Sequence, residues 1–422
     1  MIKIKRETVF AFVIFMPYIE RRALDTYLSI RTDDAYFRAM LFVLLFGIAA
    51  ILVYTASKPK TGTGTKKVLF FYVCYFLYMF CVAILHLKLE PANISVMLWF
   101  FEPMIFAFCF VRMCIKIKLN IPVLFSRMIR YFAVYVLITI VYNVLFYGLF
   151  RKSGVRMTTP GGGCVIFAYT TAFVFALTLA YRECFPQKVF MVIALILTIG
   201  VVACGSRGGM WPILGMWFFY YGFSQLTKKR LVITMTAFIT VLILNPISML
   251  QTYFPHLFEK GNKARGTSSS NLMALFKESS IVEQLFGHGP GGFFHYQKWI
   301  MDVANNRRYD WDNYDYVKGY QVLVQPHNTY IYMLYEYGLI AVILLVLFLL
   351  SNMYACWKSD TNRNKWFMLL PIPVFAFVNC FDSILFVQPG TAAVLWTLLL
   401  LYLVDVNKRA GFRFFKKEHK KE

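Results

Sequence analysis

Charged residues are scarce in this sequence. They make up 15% of its 422 residues, whereas hydrophobic residues make up 59% and aromatic residues 18%. Soluble domains carry about 25% charged residues, and no segment of domain length here has that composition. The scarcity of charge therefore excludes an ordinary soluble protein and predicts one membrane domain built from apolar helices.

The residue patterns of common metal and nucleotide sites are also missing. The nine cysteines lie in or beside apolar runs without metal-ligand spacing, which disfavours structural zinc and disulfides. The glycine-rich run 287–292 is not followed by the Gly-Lys-Ser/Thr of a phosphate-binding loop, so we interpret it as a turn with His288 in solvent. The sequence predicts no cofactor.

The positive charge of the chain is arranged as in membrane proteins. The formal net charge is +23, but the basic residues lie in short loops between apolar runs, which argues against a nucleic-acid partner. With the N-terminus inside, the inner segments hold 27 Lys and Arg and the short outer loops hold 9. This asymmetry predicts cytoplasmic termini and an outer position for the long loop 252–326.

Apolar runs of membrane-spanning length recur along the whole chain. We predict an all-α, polytopic membrane fold with nine helices in 1–251, a large outer loop at 252–326, three helices in 327–405 and a basic cytoplasmic tail at 406–422. Within the loop, the pattern from Ser268 to Glu283 predicts a helix. The twelve spans are expected at roughly 7–20, 37–56, 68–88, 94–111, 130–150, 162–181, 188–204, 209–223, 231–251, 328–350, 366–381 and 391–405.

A histidine stands where the outer loop meets the tenth span. Pro326 precedes it, and proline suits the start of a helix because its missing N–H group is not needed there. Histidine is the side chain best suited to proton transfer near neutral pH. His327 is therefore either a helix cap at the membrane interface or a general base, with Asn328 beside it. The helical period places it on one stripe with Tyr330, Ile331, Leu334 and Gly338, and Glu336 on the opposite face.

Two arginines are predicted on the same outer side. Arg207 is the only charge in the turn Gly205–Gly209 between two spans, and Arg265 lies in the outer loop about 22 residues before the glycine run. A guanidinium flanked by glycines can approach a phosphate together with backbone N–H groups. The alternative for Arg207 is a tight turn with an arginine at the membrane surface.

Carboxylates complete the set of candidate residues. Asp382 follows the eleventh span at its outer end, where a buried aspartate is usually functional or paired. Asp310 and Asp312, in the acidic-aromatic part of the loop, offer a weak alternative in which a divalent cation is bound. His327, Arg207, Arg265 and Asp382 together suit attack by a hydroxyl on a lipid-linked diphosphate, with a base for the proton and arginines for the departing diphosphate.

Several of these stretches resemble one family, the O-antigen ligase and polymerase superfamily. The stretch from His327 to Ile331 together with Glu336-Tyr337-Gly338 resembles its His-Asn…Glu-x-Gly signature. The segment Ser206-Arg207-Gly208-Gly209 is similar to its Ser-Arg-Gly turn, and Arg265 before Gly287-His288-Gly289 is similar to its loop arginine. Two positions depart from the family pattern, which often has Trp where Ser269 stands and Gly where Ala341 stands.

The resemblance implies a metal-independent, inverting glycosyltransferase of the bacterial inner membrane, with a GT-C-like fold. It would take a glycan from an undecaprenyl-diphosphate donor, with His327 as base and Arg207 and Arg265 on the diphosphate. Asn328 and Asp382 would support the base. The acceptor is either another lipid-linked glycan, as in a polymerase, or lipid A–core, as in a ligase, and the sequence leaves this choice open.

A flippase or transporter of lipid-linked glycans is the alternative from another class. Such a protein should place charged groups along a cavity inside several spans, often in two related halves. In this sequence the acidic residues in mid-span are few, and the polar candidates gather at one predicted face. The sequence therefore favours an enzyme.

Overall fold

The computed structural model describes residues 5–15, 63–86, 91–149, 156–157, 163–224, 232–233, 236, 240, 262–290, 314–323, 327–359, 365–382, 384–387 and 389–418. The predicted span 37–56 lies outside these residues, as does most of the predicted span 231–251. Asp310 and Asp312 also lie outside them.

Within the described part the chain is mostly helical. The helices are α1 Arg6–Val13, α2 Thr63–Leu85, α3 Pro91–Lys116, α4 Ile121–Tyr142, α5 Cys164–Ala180, α6 Gln187–Ala203, α7 Arg207–Ser224, α8 Asn262–Glu278, α9 Ile281–Phe286, α10 Thr329–Ser359, α11 Lys365–Leu369, α12 Pro371–Val378, α13 Ile384–Val387 and α14 Pro389–Glu418. A π-helical turn, Asn143–Tyr147, follows α4, and a 3-10 turn, Arg182–Cys184, follows α5. The strands are β1 Tyr314–Val317 and β2 Tyr320–Leu323.

Four of the described helical segments are long and apolar enough to cross a bilayer. They are Gly64–Leu85, Ile121–Tyr147, Thr329–Trp357 and Gly390–Lys408. Shorter apolar helices cover Cys164–Ala180, Gln187–Ala203 and Trp366–Val378. The expectation of membrane helices is met at this level.

The chain divides into two compact units. The first comprises residues 1–16, 119–260 and 355–378, and α5 is its central helix. Nearly every residue of α5 is buried, as expected for a helix that is apolar on all sides. Its threonines fit this environment because the hydroxyls of Thr170, Thr171 and Thr178 donate to the carbonyl four residues earlier.

The second unit comprises residues 17–118, 261–354 and 379–422, and α14 is its most buried helix. This helix packs against α2 and α3. Trp396 of α14 is fully buried, with its ring 5.5 Å from that of Tyr72 and 6.1 Å from that of Tyr75. Large aromatic side chains thus hold the centre of this unit together.

Two predicted spans correspond to helices with different bounds. The span predicted at 391–405 lies within the apolar segment Gly390–Lys408, but α14 itself continues to Glu418 through the segment assigned to the basic tail. No proline follows Pro389 in the chain, and lysine and arginine are good helix formers, so nothing local stops α14 at 405. The predicted span 366–381 is divided into α11 and α12, since Pro371 has no N–H group with which to continue the first helix.

The secondary structure of the segment 252–326 also differs from its prediction. The expected helix from Ser268 to Glu283 begins earlier, at Asn262, and ends at Glu278. It ends there because Ser280 starts a new helix, α9, with a reciprocal capping box to Glu283. The all-α prediction misses an antiparallel hairpin, in which β1 pairs with β2 around Lys318 and Gly319, both with positive φ.

The long helix α10 breaks at Gly338, where φ is +79° and ψ is 175°. Carbonyl groups before such a break lose their partners further along the helix. Here the Tyr335 carbonyl accepts from the N–H of His288 at 3.1 Å, and the Glu336 carbonyl accepts from the N–H of Gly289 at 2.8 Å. The Tyr337 carbonyl accepts from the Tyr78 hydroxyl at 3.0 Å. The break in α10 is therefore stabilised by partners from the loop and from α2.

Two glycines make this contact possible. A Cβ atom on Gly287 would lie 2.2 Å from the Glu336 carbonyl oxygen, and one on Gly338 would lie 2.2 Å from the Leu285 carbonyl oxygen. Both residues have φ near +79°, which only glycine adopts without strain. We call the contact between the Gly287 turn and the Gly338 break the glycine contact.

Gly338→Ala is expected to destabilise the protein for two reasons. The added Cβ would clash with the Leu285 backbone, and residue 338 has a left-handed conformation. Strain of this kind costs about 1–3 kcal/mol, so the midpoint of thermal unfolding should fall. Gly266→Ala is the control, since it lies in α8 with nothing within 4 Å of the added Cβ, and it should leave the midpoint unchanged or raise it. The midpoint of thermal unfolding of both variants is measured by size-exclusion chromatography after heating. Equal midpoints for the two variants would contradict the glycine contact.

Candidate functional site

His327 and Asn328 lie just before α10 rather than within it. His327 has φ +50°, a left-handed conformation that is uncommon for a residue with a side chain. Asn328 caps the helix, because its side-chain oxygen accepts from the N–H groups of Tyr330 and Ile331 at 3.0 and 3.1 Å. The predicted stripe that joins His327 to Tyr330 and Gly338 is therefore wrong, since His327 does not follow the helical period.

Asp382 lies against His327. The Asp382 Oδ1 is 3.4 Å from the His327 Nδ1, and the two side chains are 5% and 7% exposed. The contact does not have the geometry of a hydrogen bond, since neither ring nitrogen of His327 has a hydrogen-bond partner in the described part of the chain. A carboxylate at this distance stabilises the positive charge that an imidazole gains when it accepts a proton.

Contacts before and after Asp382 in the chain fix the segment that carries it. Before it, the Asn379 carbonyl accepts from the N–H of Thr329 at 3.0 Å. After it, the Phe386 ring stacks 4.5 Å from the Phe100 ring and 4.4 Å from the Tyr332 ring. Residues 55 positions apart in sequence are thus brought together by the start of α10 and by an aromatic stack.

Arg207 begins α7 in the first unit and is partly exposed. The turn before it is tight, with Gly205 at φ +60° and the Ser206 carbonyl accepting from the N–H groups of Gly209 and Met210. A Cβ on Gly209 would lie 2.8 Å from the Ala168 Cβ. Glycine at 205 thus has a conformational reason, and glycine at 209 has a packing reason.

Arg265 lies in the first turns of α8, in the second unit together with His327, Asn328 and Asp382. The helix is anchored to the hairpin because the Asn271 side-chain amide donates to the Gln321 carbonyl at 2.7 Å. The backbone at Arg265 is therefore part of a helix and not of an irregular loop.

The environment of His288 departs from the sequence expectation. Its ring stacks 4.4 Å from the ring of Tyr335, and its Nε2 is 2.9 Å from the Ser279 hydroxyl. Its Nδ1 is 3.7 Å from the Glu283 Oε1, and the His288 side chain is only 15% exposed. The prediction of a solvated loop residue is wrong, because the glycine contact draws His288 onto α10.

The described residues contain no group of three or more His, Cys, Asp or Glu side chains placed to hold a metal ion. Comparison with protein-family models gives no match to the chain, and comparison with curated proteins gives none either.

Acidic pH is expected to weaken the packing around His288. Burial lowers the pKa of His288 from its ordinary 6.5; Glu283 opposes this shift, and Lys318 and His86 add to it. The N–H group of Ser280 lowers the pKa of Glu283 from 4.5. As the pH falls, the unfolded chain therefore binds protons before the folded one, first at His288 and then at Glu283, and stability is lost.

The unfolding midpoint measured between about pH 7 and pH 5 tests this expectation. His288→Gln keeps a polar partner for Ser279 but cannot titrate, so its midpoint should fall less steeply with acid than that of the wild type. Glu283→Gln keeps a capping oxygen and should retain the histidine part of the dependence. Identical pH profiles for His288→Gln and the wild type would contradict the expectation.

Proposed function

We propose that the protein is an integral-membrane glycosyltransferase that joins a glycan from an undecaprenyl-diphosphate donor to an acceptor sugar hydroxyl. The observation that carries the proposal is the buried His327, which faces Asp382 and has no hydrogen bond to either ring nitrogen within the described residues. A buried polar group without a hydrogen bond is costly. An incoming hydroxyl would supply the missing bond.

The chemistry follows from the two faces of the imidazole. Asp382 faces Nδ1, which leaves Nε2 to accept the proton of the acceptor hydroxyl. The acceptor oxygen attacks the anomeric carbon as the bond from that carbon to the diphosphate oxygen breaks, so the configuration at carbon is inverted. Asp382 stabilises the imidazolium, and the positive charges of Arg207 and Arg265 would stabilise the departing diphosphate.

The surrounding architecture that we propose is a GT-C-like bundle of about twelve spans in the bacterial inner membrane. Both termini would be cytoplasmic, and the site would open on the outer side, where the loop 252–326 lies. Four long apolar helices, three shorter ones and the scarcity of charge support this arrangement. The acceptor would be a second lipid-linked glycan in a polymerase or lipid A–core in a ligase.

Replacement of His327 is expected to abolish transfer, because the imidazole that faces Asp382 is the group proposed to accept the proton. Two variants are useful, His327→Ala and His327→Asn, since asparagine tolerates the left-handed backbone found here. The measurement is transfer of glycan from a lipid-linked donor by purified protein in liposomes, with lipid-linked and lipid A–core acceptors in separate reactions.

Near-normal transfer by a folded His327→Asn variant would remove the base assignment. Transfer that stops in EDTA and returns with Mg²⁺ or Mn²⁺ would instead favour a metal-dependent reaction through Asp310 and Asp312. Movement of the donor across the bilayer without transfer would favour the flippase alternative.

Arg207→Ala and Arg265→Ala are each expected to slow transfer about 10- to 150-fold, which is the loss of about 1.5–3 kcal/mol from one charged hydrogen bond. Arg→Lys variants should recover only part of the rate, because lysine cannot form a bidentate contact. The exposed Lys188 at the start of α6 and Lys277 at the end of α8 are matched controls. Equal rates for Arg→Lys and the wild type would argue against a bidentate contact.

A further inference from the structure

Thr329 is fully buried and joins the start of α10 to the segment 379–382. Its N–H group donates to the Asn379 carbonyl at 3.0 Å. Its hydroxyl lies 2.9 Å from the Asp382 carbonyl oxygen and 3.1 Å from the Asn379 Oδ1, and its single proton serves these two acceptors. Both polar groups of one residue are thus used across a separation of 50 residues or more.

The hydrogen bonds of the Thr329 hydroxyl are not needed to cap the helix. Asn328 already satisfies the N–H groups of Tyr330 and Ile331, which is the ordinary task of a capping side chain. The hydroxyl of Thr329 points instead to another segment of the chain. Its role therefore concerns that segment rather than the formation of α10.

The segment 379–382 is not part of a helix. It lies between the end of α12 at Val378 and the start of α13 at Ile384. Thr329 bonds to the carbonyl oxygen of Asp382, the residue whose carboxylate faces the imidazole. Thr329 also follows His327 by two residues, so it joins the two backbone segments that carry the pair.

We propose that Thr329, together with Asn379, is a positioning residue that sets the distance between the Asp382 carboxylate and the His327 imidazole. This inference rests on the proposed function. Small displacements of a supporting group can slow an enzymatic reaction by as much as about 100-fold, so the loss of this hydroxyl should affect the rate of the chemical step rather than binding of the donor.

Thr329→Val and Thr329→Ser provide the test, because valine keeps the branched shape and serine keeps the hydroxyl. In the liposome assay, Thr329→Val should lower kcat about 10-fold or more with little change in KM for the donor, and Thr329→Ser should retain most of the rate. Thr397→Val is the control, since Thr397 is also buried and its hydroxyl has no hydrogen-bond partner among the described residues.

A double-variant cycle separates positioning from general destabilisation. Asp382→Asn removes the charge that Thr329 is proposed to place, so adding Thr329→Val to it should cause little further loss in kcat. A loss of equal size in both backgrounds, or a wild-type rate for Thr329→Val, would overturn the positioning role. Failure of Thr329→Ser to restore the rate would overturn it as well.

The same assay distinguishes this inference from the proposed function. If the wild-type protein transfers no glycan, the proposed function fails. If folded His327→Asn transfers glycan at the wild-type rate, the base assignment fails, and the positioning role fails with it. If His327→Asn is inactive while Thr329→Val is as active as Thr397→Val, only the positioning role fails.

Discussion

A helix in apolar surroundings cannot break or begin without partners for the backbone groups that it frees. This constraint applies to α10, the longest described helix, which begins at the candidate site. At Gly338 the freed carbonyls accept from the Gly287 turn and from Tyr78. At Thr329 the free N–H groups are satisfied by Asn379 and Asn328. Both irregular points of α10 are therefore hydrogen-bonded to segments that are distant in sequence.

These two sets of hydrogen bonds determine which residues lie beside α10. The first brings α9 and the glycine turn onto α10, which buries most of His288 against Tyr335. The second brings the segment 379–382 to the start of α10, which places the Asp382 carboxylate 3.4 Å from His327. The left-handed backbone of His327 lies directly before Asn328, the residue that caps α10. A strained residue of this kind is common at functional sites.

The candidate chemistry depends on burial as much as on residue type. In water, His327 and Asp382 would be hydrated and would interact weakly. Both are at least nine-tenths buried, and charges interact more strongly where water is excluded. The same burial makes an unsatisfied imidazole costly, and this is why we expect a substrate group to complete the site.

The sequence by itself determined the class of the protein, because composition and apolar run length report directly on the surroundings in which a chain folds. It also identified His327 and Asp382 as candidates, since a polar residue beside an apolar run is conspicuous. It could not predict that Gly287 and Gly338 meet, that His288 is buried or that Thr329 joins two segments. Those facts depend on contacts between residues about 50 positions apart, and local pattern carries no information about such contacts.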